Sequence, residues 1–311
     1  MDTFVIGATG FVGGGVARHL AARGHRVTGL ARTGAAAERL RRDGIAPHPG
    51  DLDRDRRPVL AAAAASDVVV YAAQLDPAAE ADAVGALLDA LAGSGRTFVL
   101  TSGTGVFLQR TGGAWSSACY GEDDPFPVEP LAARRRAVEE LVRGAAGRGI
   151  RTLVLRPGLI WGPGDHGHVA MVYRSVAATG AACYVGAGLN TYTNVHIDDV
   201  ARLYERAIAA GTAGALYHAA GGEVPNRWIA EAVARDLGRG TRSLSPAEAS
   251  AVWGDFGALI MAGSSRSRDQ WTRAELGWSP ERPDMLALIG EPRLRELAAP
   301  QRTTRTHQEE P

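Results

Sequence analysis

Short runs of β-branched and apolar residues alternate with longer alanine- and arginine-rich stretches through the first half of the chain. The pattern predicts strands over 3–6, 26–30, 46–49, 68–71, 97–101 and 152–155, the third of them weak. Between them it predicts helices over 11–23, 35–42, 77–91 and 131–146. Val68-Val69-Val70 and Leu153-Val154-Leu155 lack the apolar–polar alternation of a half-exposed strand, so both of their faces should be covered. Strands alternating with helices read as βαβ units. The expected fold is therefore α/β, a doubly wound parallel sheet of Rossmann type.

After residue 157 the rhythm breaks. Short strands near 183–185, 193–196 and 215–218 mix with helices near 198–210, 227–236 and 246–253. This predicts a smaller C-terminal substrate lobe, with one strand returning to the main sheet. The expected division is 1–157 for the dinucleotide domain, 158–298 mainly for the lobe, and 299–311 as a polar, disordered tail.

Composition then narrows the function. The 311 residues carry 34 basic and 34 acidic side chains, so zero formal charge gives no general attraction to nucleic acid or an anionic membrane. The small-molecule substrate is the expected partner. Two cysteines, Cys119 and Cys183, form neither a disulfide framework nor a metal-site spacing, and no metal is expected. No lysine occurs anywhere, which removes lysine Schiff bases and lysine proton relays. The start Met1-Asp2-Thr3 lacks a basic, apolar leader, and runs such as 59–65 are too short to span a bilayer. A cytoplasmic location is the expectation.

The chemistry begins where the first predicted strand meets the first helix, at Gly7-Ala8-Thr9-Gly10-Phe11-Val12-Gly13. Glycines there permit a tight turn, close backbone approach to a pyrophosphate and close helix–strand packing. Gly7, Thr9, Gly10, Phe11, Val12 and Gly13 are the predicted phosphate-binding residues. A side chain at Gly10 should intrude on the pyrophosphate and strain the local φ. An NAD site usually has an acid after the second strand to hold the ribose; this chain has Arg32 there instead. A guanidinium suits a 2′-phosphate, so NADP is expected over NAD. Asp51 and Leu52 should lie near the adenine, and Ala72, Ala73 and Gln74 beside the middle of the cofactor.

These residues resemble the atypical and extended short-chain dehydrogenase/reductases, the NAD-dependent epimerase/dehydratase family. Further segments match in order: Leu100-Thr101-Ser102-Gly103 after the fifth strand, Arg156-Pro157-Gly158-Leu159-Ile160-Trp161-Gly162, Val195-His196-Ile197-Asp198-Asp199-Val200-Ala201, Tyr217-His218-Ala219-Ala220-Gly221 and Leu276-Gly277-Trp278-Ser279-Pro280. The resemblance spans about residues 3–285. It implies a bound nicotinamide dinucleotide, with Thr101, Ser102, Pro157, Gly158 and Leu159 along it, and usually a small carbonyl, alcohol or sugar-nucleotide substrate.

The departures fall at the reaction centre. Family enzymes carry a Tyr-x-x-x-Lys pair in which the lysine lowers the tyrosine pKa. With Glu139 as the alignment marker, Leu131 stands at the tyrosine position and Arg135 at the lysine position. Gly103 stands at the catalytic Ser/Thr position, beside Thr104. The replacement candidates are Thr104, Arg135, Tyr120 on the overhanging loop, and His166 and His168 on the loop after Gly164. Tyr120→Phe is expected to slow turnover by roughly two orders of magnitude if its phenol is the acid. His196 is expected to be structural. Asn190-Thr191-Tyr192-Thr193 replaces the arginine often used for a sugar-nucleotide diphosphate, which argues against that substrate. The resulting expectation is an NADP-dependent oxidoreductase for a small carbonyl or alcohol. The rivals are a non-redox isomerase, dehydratase or cyclase with bound NADP, and a dinucleotide-sensing regulator.

Overall fold

The computed structural model describes residues 1–164 and 167–299. The first half runs β1 (Asp2–Ile6), α1 (Phe11–Ala22), β2 (Arg26–Ala31), α2 (Gly34–Arg42), β3 (Ala46–Pro49), α3 (Arg57–Ala65), β4 (Val68–Tyr71), α4 (Pro77–Leu91), β5 (Thr97–Thr101), α5 (Ala133–Gly144) and β6 (Arg151–Pro157). The second half runs β7 (Leu159–Trp161), α6 (Gly167–Thr179), β8 (Ala182–Val185), β9 (Thr191–His196), α7 (Ile197–Ala210), β10 (Ala215–Ala219), β11 (Gly222–Pro225), α8 (Asn226–Leu237), β12 (Thr241–Leu244), α9 (Pro246–Ala262), α10 (Gln270–Leu276) and α11 (Pro292–Glu296).

Seven parallel strands form the main sheet in the order β10-β6-β5-β4-β1-β2-β3. Each strand divides its side chains between two cores, as a period of two requires. Val5, Val68, Val70, Val99 and Leu155 face α1, α7 and α10, where they meet Val16, Leu20, Leu203 and Leu276. Phe4, Ile6, Val69, Tyr71 and Phe98 face α3, α4 and α5, where they meet Val59, Leu87 and Val142. Covering both faces explains the unbroken apolar strands. The strand order reverses between β1 and β4, and a ligand crevice belongs at such a point, beyond the strands' C-terminal ends.

The C-terminal segments build a separate core from α6, α8, α9 and β8, including Val172, Tyr173, Ile229, Val233 and Met261. Two small sheets, β11-β9-β7 and β12-β8, belong to this part of the molecule. Strand β10 lies in the main sheet beside β6, as the returning strand. Several elements escape the sequence pattern: α3, α6, α10, α11 and the short strands β7, β11 and β12. Helix α9 also runs nine residues beyond the expected Trp253, through a kink where Gly254 has φ 71°.

The family segments act as fasteners. His196 accepts the Asp198 amide through Nδ1 at 3.1 Å and so caps α7, in keeping with a structural role. Buried Asp199 accepts the amides of Glu281 and Arg282, both at 3.0 Å, tying the late segment to α7. Trp278 donates its indole N–H to the Asp199 carbonyl at 3.0 Å. Asn190 is buried, and its amide donates to the carbonyls of Met261 and Gly263, so it also serves the packing of the lobe.

Candidate functional site

A cleft of about 990 Å³ opens along the C-terminal ends of β1, β2, β4, β5 and β6. That is the upper end of the roughly 300–1,000 Å³ usual for small-molecule sites. One end is built by the β1–α1 turn. Gly7 has φ 92°, a region that favours glycine, and a Cβ on it would stand 2.5 Å from the Ala72 carbonyl oxygen. Gly13 does not line the cleft; a Cβ there would lie 2.3 Å from the Gly7 oxygen, so glycine lets α1 sit against the turn. Gly10 is different: it is the N-cap of α1, with φ −80° and ψ 173°, which any residue adopts. The expected backbone strain therefore sits at Gly7 and not at Gly10.

Gly7, Thr9, Gly10, Phe11 and Val12 line this end. No side chain caps α1, and its first turn carries no acid. The positive dipole end of α1 thus meets the cleft with no side-chain cap and no acid beside it, which is the fit a pyrophosphate needs. Arg32 follows β2 and lines the same cleft with Thr33, whose hydroxyl caps α2 by accepting the Ala36 amide at 3.1 Å. Among the described residues no carboxylate pairs with Arg32. Asp51 and Leu52 line the cleft after β3, and Ala72, Ala73 and Gln74 after β4.

At the other end, Thr101, Ser102, Pro157 and Gly158 line the cleft, while Leu159 packs against the lobe core. Thr101 turns its hydroxyl away, 2.6 Å from that of Tyr204. Ser102 donates to Glu139 Oε1 at 2.6 Å. Glu139 and Arg156 form a fully buried ion pair, with the Arg156 Nε–H donating to Oε1 at 2.7 Å. Burial alone would raise the Glu139 pKa, but Arg156, Ser102 and Arg136 outweigh it and hold the group ionised. The Ser102 proton is therefore committed to Glu139, leaving its lone pairs for the cleft.

Leu131 and Arg135 both line the cleft. Arg135 is held by buried Glu80 at 3.0 Å and reaches the Thr101 carbonyl at 3.4 Å. Glu80, which sequence reasoning missed, also lines the cleft; burial raises its pKa, partly offset by Arg135. The wall is completed by Phe256 and Ile260 from α9 beyond its kink. These too were missed, although their spacing of four residues places them on one helix face.

Three of the expected proton carriers stand elsewhere. Thr104 is 1% exposed, and its carbonyl accepts the Ser265 hydroxyl at 2.6 Å. Tyr120 is half-buried outside the cleft lining, packed against Phe107 and Phe126 at ring separations of 5.3 and 5.7 Å. His168 is buried on α6, with Nδ1 2.8 Å from Asn226 Oδ1 and its ring edge-on to Tyr192. The Asn226 amide nitrogen donates to Met261, so its oxygen receives the His168 Nδ1–H and leaves Nε2 unprotonated, without a partner among the described residues. Burial lowers the His168 pKa to about 4. His166 lies outside the described residues, as does the segment 300–311 of the expected tail.

Comparison with known proteins agrees with this geometry. The profile of the NAD dependent epimerase/dehydratase family matches residues 3–220. An uncharacterized protein of Schizosaccharomyces pombe is 31% identical over 290 residues, covering 90% of this chain and 95% of that one. The 2-alkyl-3-oxoalkanoate reductase of Stenotrophomonas maltophilia is 33% identical over 243 residues, covering 72% and 71%. In fold, the chain is similar to the dTDP-glucose 4,6-dehydratase DesIV of Streptomyces venezuelae, solved as a double mutant with NAD bound. That likeness has a TM-score of 0.76 at 21% identity and covers 95% of this chain and 97% of that one. The chain belongs to the NAD-dependent epimerase/dehydratase family. It is an NAD(P)-dependent oxidoreductase or epimerase/dehydratase-like enzyme, on a Rossmann-type sheet.

Proposed function

We propose that the protein is an NADP-dependent oxidoreductase that reduces the carbonyl, or oxidises the alcohol, of a small and fairly apolar metabolite. The observation that carries the cofactor reading is Arg32: it lines the cleft after β2, without a carboxylate partner among the described residues, where an NAD site would use an acid. The α1 amides would take the pyrophosphate, Arg32 the 2′-phosphate, and Asp51 and Leu52 the adenosine end. Ser102, Pro157 and Gly158 would flank the nicotinamide. When bound, the nicotinamide supplies or accepts the hydride. The reductase relative supports carbonyl chemistry.

The residues present set how the proton must move. Leu131 has none to give, and Arg135 stays charged and locked to Glu80. Thr101 is engaged by Tyr204 and Ser102 by Glu139. With those four groups so engaged, water at the cleft mouth is on this reading the proton donor to the nascent alkoxide, while Arg135 and Ser102 orient the cofactor. Purified protein should consume NADPH with at least one member of a panel of ketones and aldehydes. Conversion of a compound with no net change in NADPH would instead favour an isomerase, dehydratase or cyclase. Binding without any conversion would favour a sensor.

A further inference from the structure

The reaction end of the cleft carries two features that the cofactor does not use. Leu131 and Phe256 both line the cleft, yet remain 60% and 67% exposed. They are large apolar side chains on two separate elements, the entrance to α5 and the second half of α9. The Gly254 kink, with φ 71°, turns the last part of α9 so that Phe256 and Ile260 both reach the cleft wall. Val106 and Leu108 add buried apolar surface to the same lining. This is a slot for an apolar body.

The second feature is charge. Helix α5 carries four arginines: Arg134, Arg135, Arg136 and Arg143. Arg135 pairs with Glu80, Arg136 with Glu139 and Glu140, and Arg143 with Asp123 and the Gly214 carbonyl. Arg134 lines the cleft, is exposed, and among the described residues has no partner. The Glu129 carboxylate on the same rim is already neutralised by Arg110, whose Nε–H and Nη2–H donate to it at 2.9 and 2.6 Å. One uncompensated guanidinium thus stands three positions beyond Leu131, and both side chains line the cleft. A planar guanidinium matches a carboxylate with two parallel hydrogen bonds.

We infer that this end of the cleft takes an amphipathic carboxylate, its apolar chain or ring between Leu131 and Phe256 and its carboxylate on Arg134. The inference rests on the reading of the other end as the dinucleotide site. The test uses calorimetric titration of the full chain, with NADP⁺ and NAD⁺ titrated first. Octanoate and 4-phenylbutyrate are then compared with octanamide and 4-phenylbutyramide. Each acid should bind at least about tenfold tighter than its amide, without displacing the dinucleotide. Arg134→Gln should erase that preference, and Phe256→Ala should weaken acid and amide together. Equal binding of acid and amide, no binding of either acid, displacement of the dinucleotide, or a preference that survives Arg134→Gln would each overturn the inference. Failure of both dinucleotides to bind would sink the cofactor reading separately, since the acid–amide comparison is read on the same protein by itself.

Discussion

Acidification should expose the protonation state of His168, the buried imidazole of α6. Burial lowers its pKa from 6.5 to about 4. The folded chain therefore refuses a proton that the unfolded chain binds. Its contribution to stability is complete above about pH 6.5 and is lost as pH falls toward 4. One pKa unit corresponds to about 1.4 kcal/mol, so the full window is worth roughly 3 kcal/mol, and about 2 kcal/mol is gone at pH 5. His168→Asn keeps a donor for the Asn226 oxygen but removes the titration. Urea unfolding at pH 7.5 and pH 5 measures the effect. The parent should lose about 2 kcal/mol more than the variant between the two conditions. His218, whose pKa burial also lowers to about 4, adds to the acid loss of both proteins equally. Identical losses would mean that the folded protein protonates His168 freely, and would return it to the candidates for general acid.

Other substitutions test the cleft. Gly10→Val should leave the fold intact, because the backbone there is extended, while its side chain blocks the α1 amides; dinucleotide affinity should drop at least tenfold, with an unchanged circular dichroism spectrum. Tyr120→Phe should leave turnover within about twofold, because the phenol stands outside the cleft lining; a loss of two orders of magnitude, the scale of general acid catalysis, would restore it as the acid. Glu139→Gln leaves the buried Arg156 charge uncompensated and should destabilise the protein by about 3 kcal/mol or more in denaturant unfolding. A stability unchanged within about 0.5 kcal/mol would mean that water reaches Arg156.

The parallel sheet was legible because burial on both faces leaves a plain mark: Val68-Val69-Val70 has no polar position to place toward solvent. The glycine turn was legible because its spacing is local: Gly13 answers to the backbone of Gly7 six residues before it, although Gly7 itself answers to the distant Ala72. The lobe was harder. Strands of three or four residues, such as β7 and β12, have too little length for a period to register. Helix α6 follows a run of glycine and proline that reads as loop. The catalytic end was least legible, because its side chains meet across long separations. Glu80 meets Arg135 across two helices, and Phe256 reaches the cleft only because the chain bends at Gly254. His168 reads in the sequence as a loop residue, yet its side chain is buried against Asn226 and Tyr192, a direction that sequence position does not encode.

The most direct test of a cleft that holds NADP between α1 and Arg32 is a paired titration. NADP⁺ and NAD⁺ are titrated calorimetrically into the parent protein and into Arg32→Asp. The parent should bind NADP⁺ about tenfold or more tightly than NAD⁺, as a charge-assisted contact to the 2′-phosphate requires. Arg32→Asp should invert the preference by removing that contact and adding repulsion. Parent protein that binds NAD⁺ as tightly as NADP⁺, or a variant whose preference does not move, would contradict the assignment.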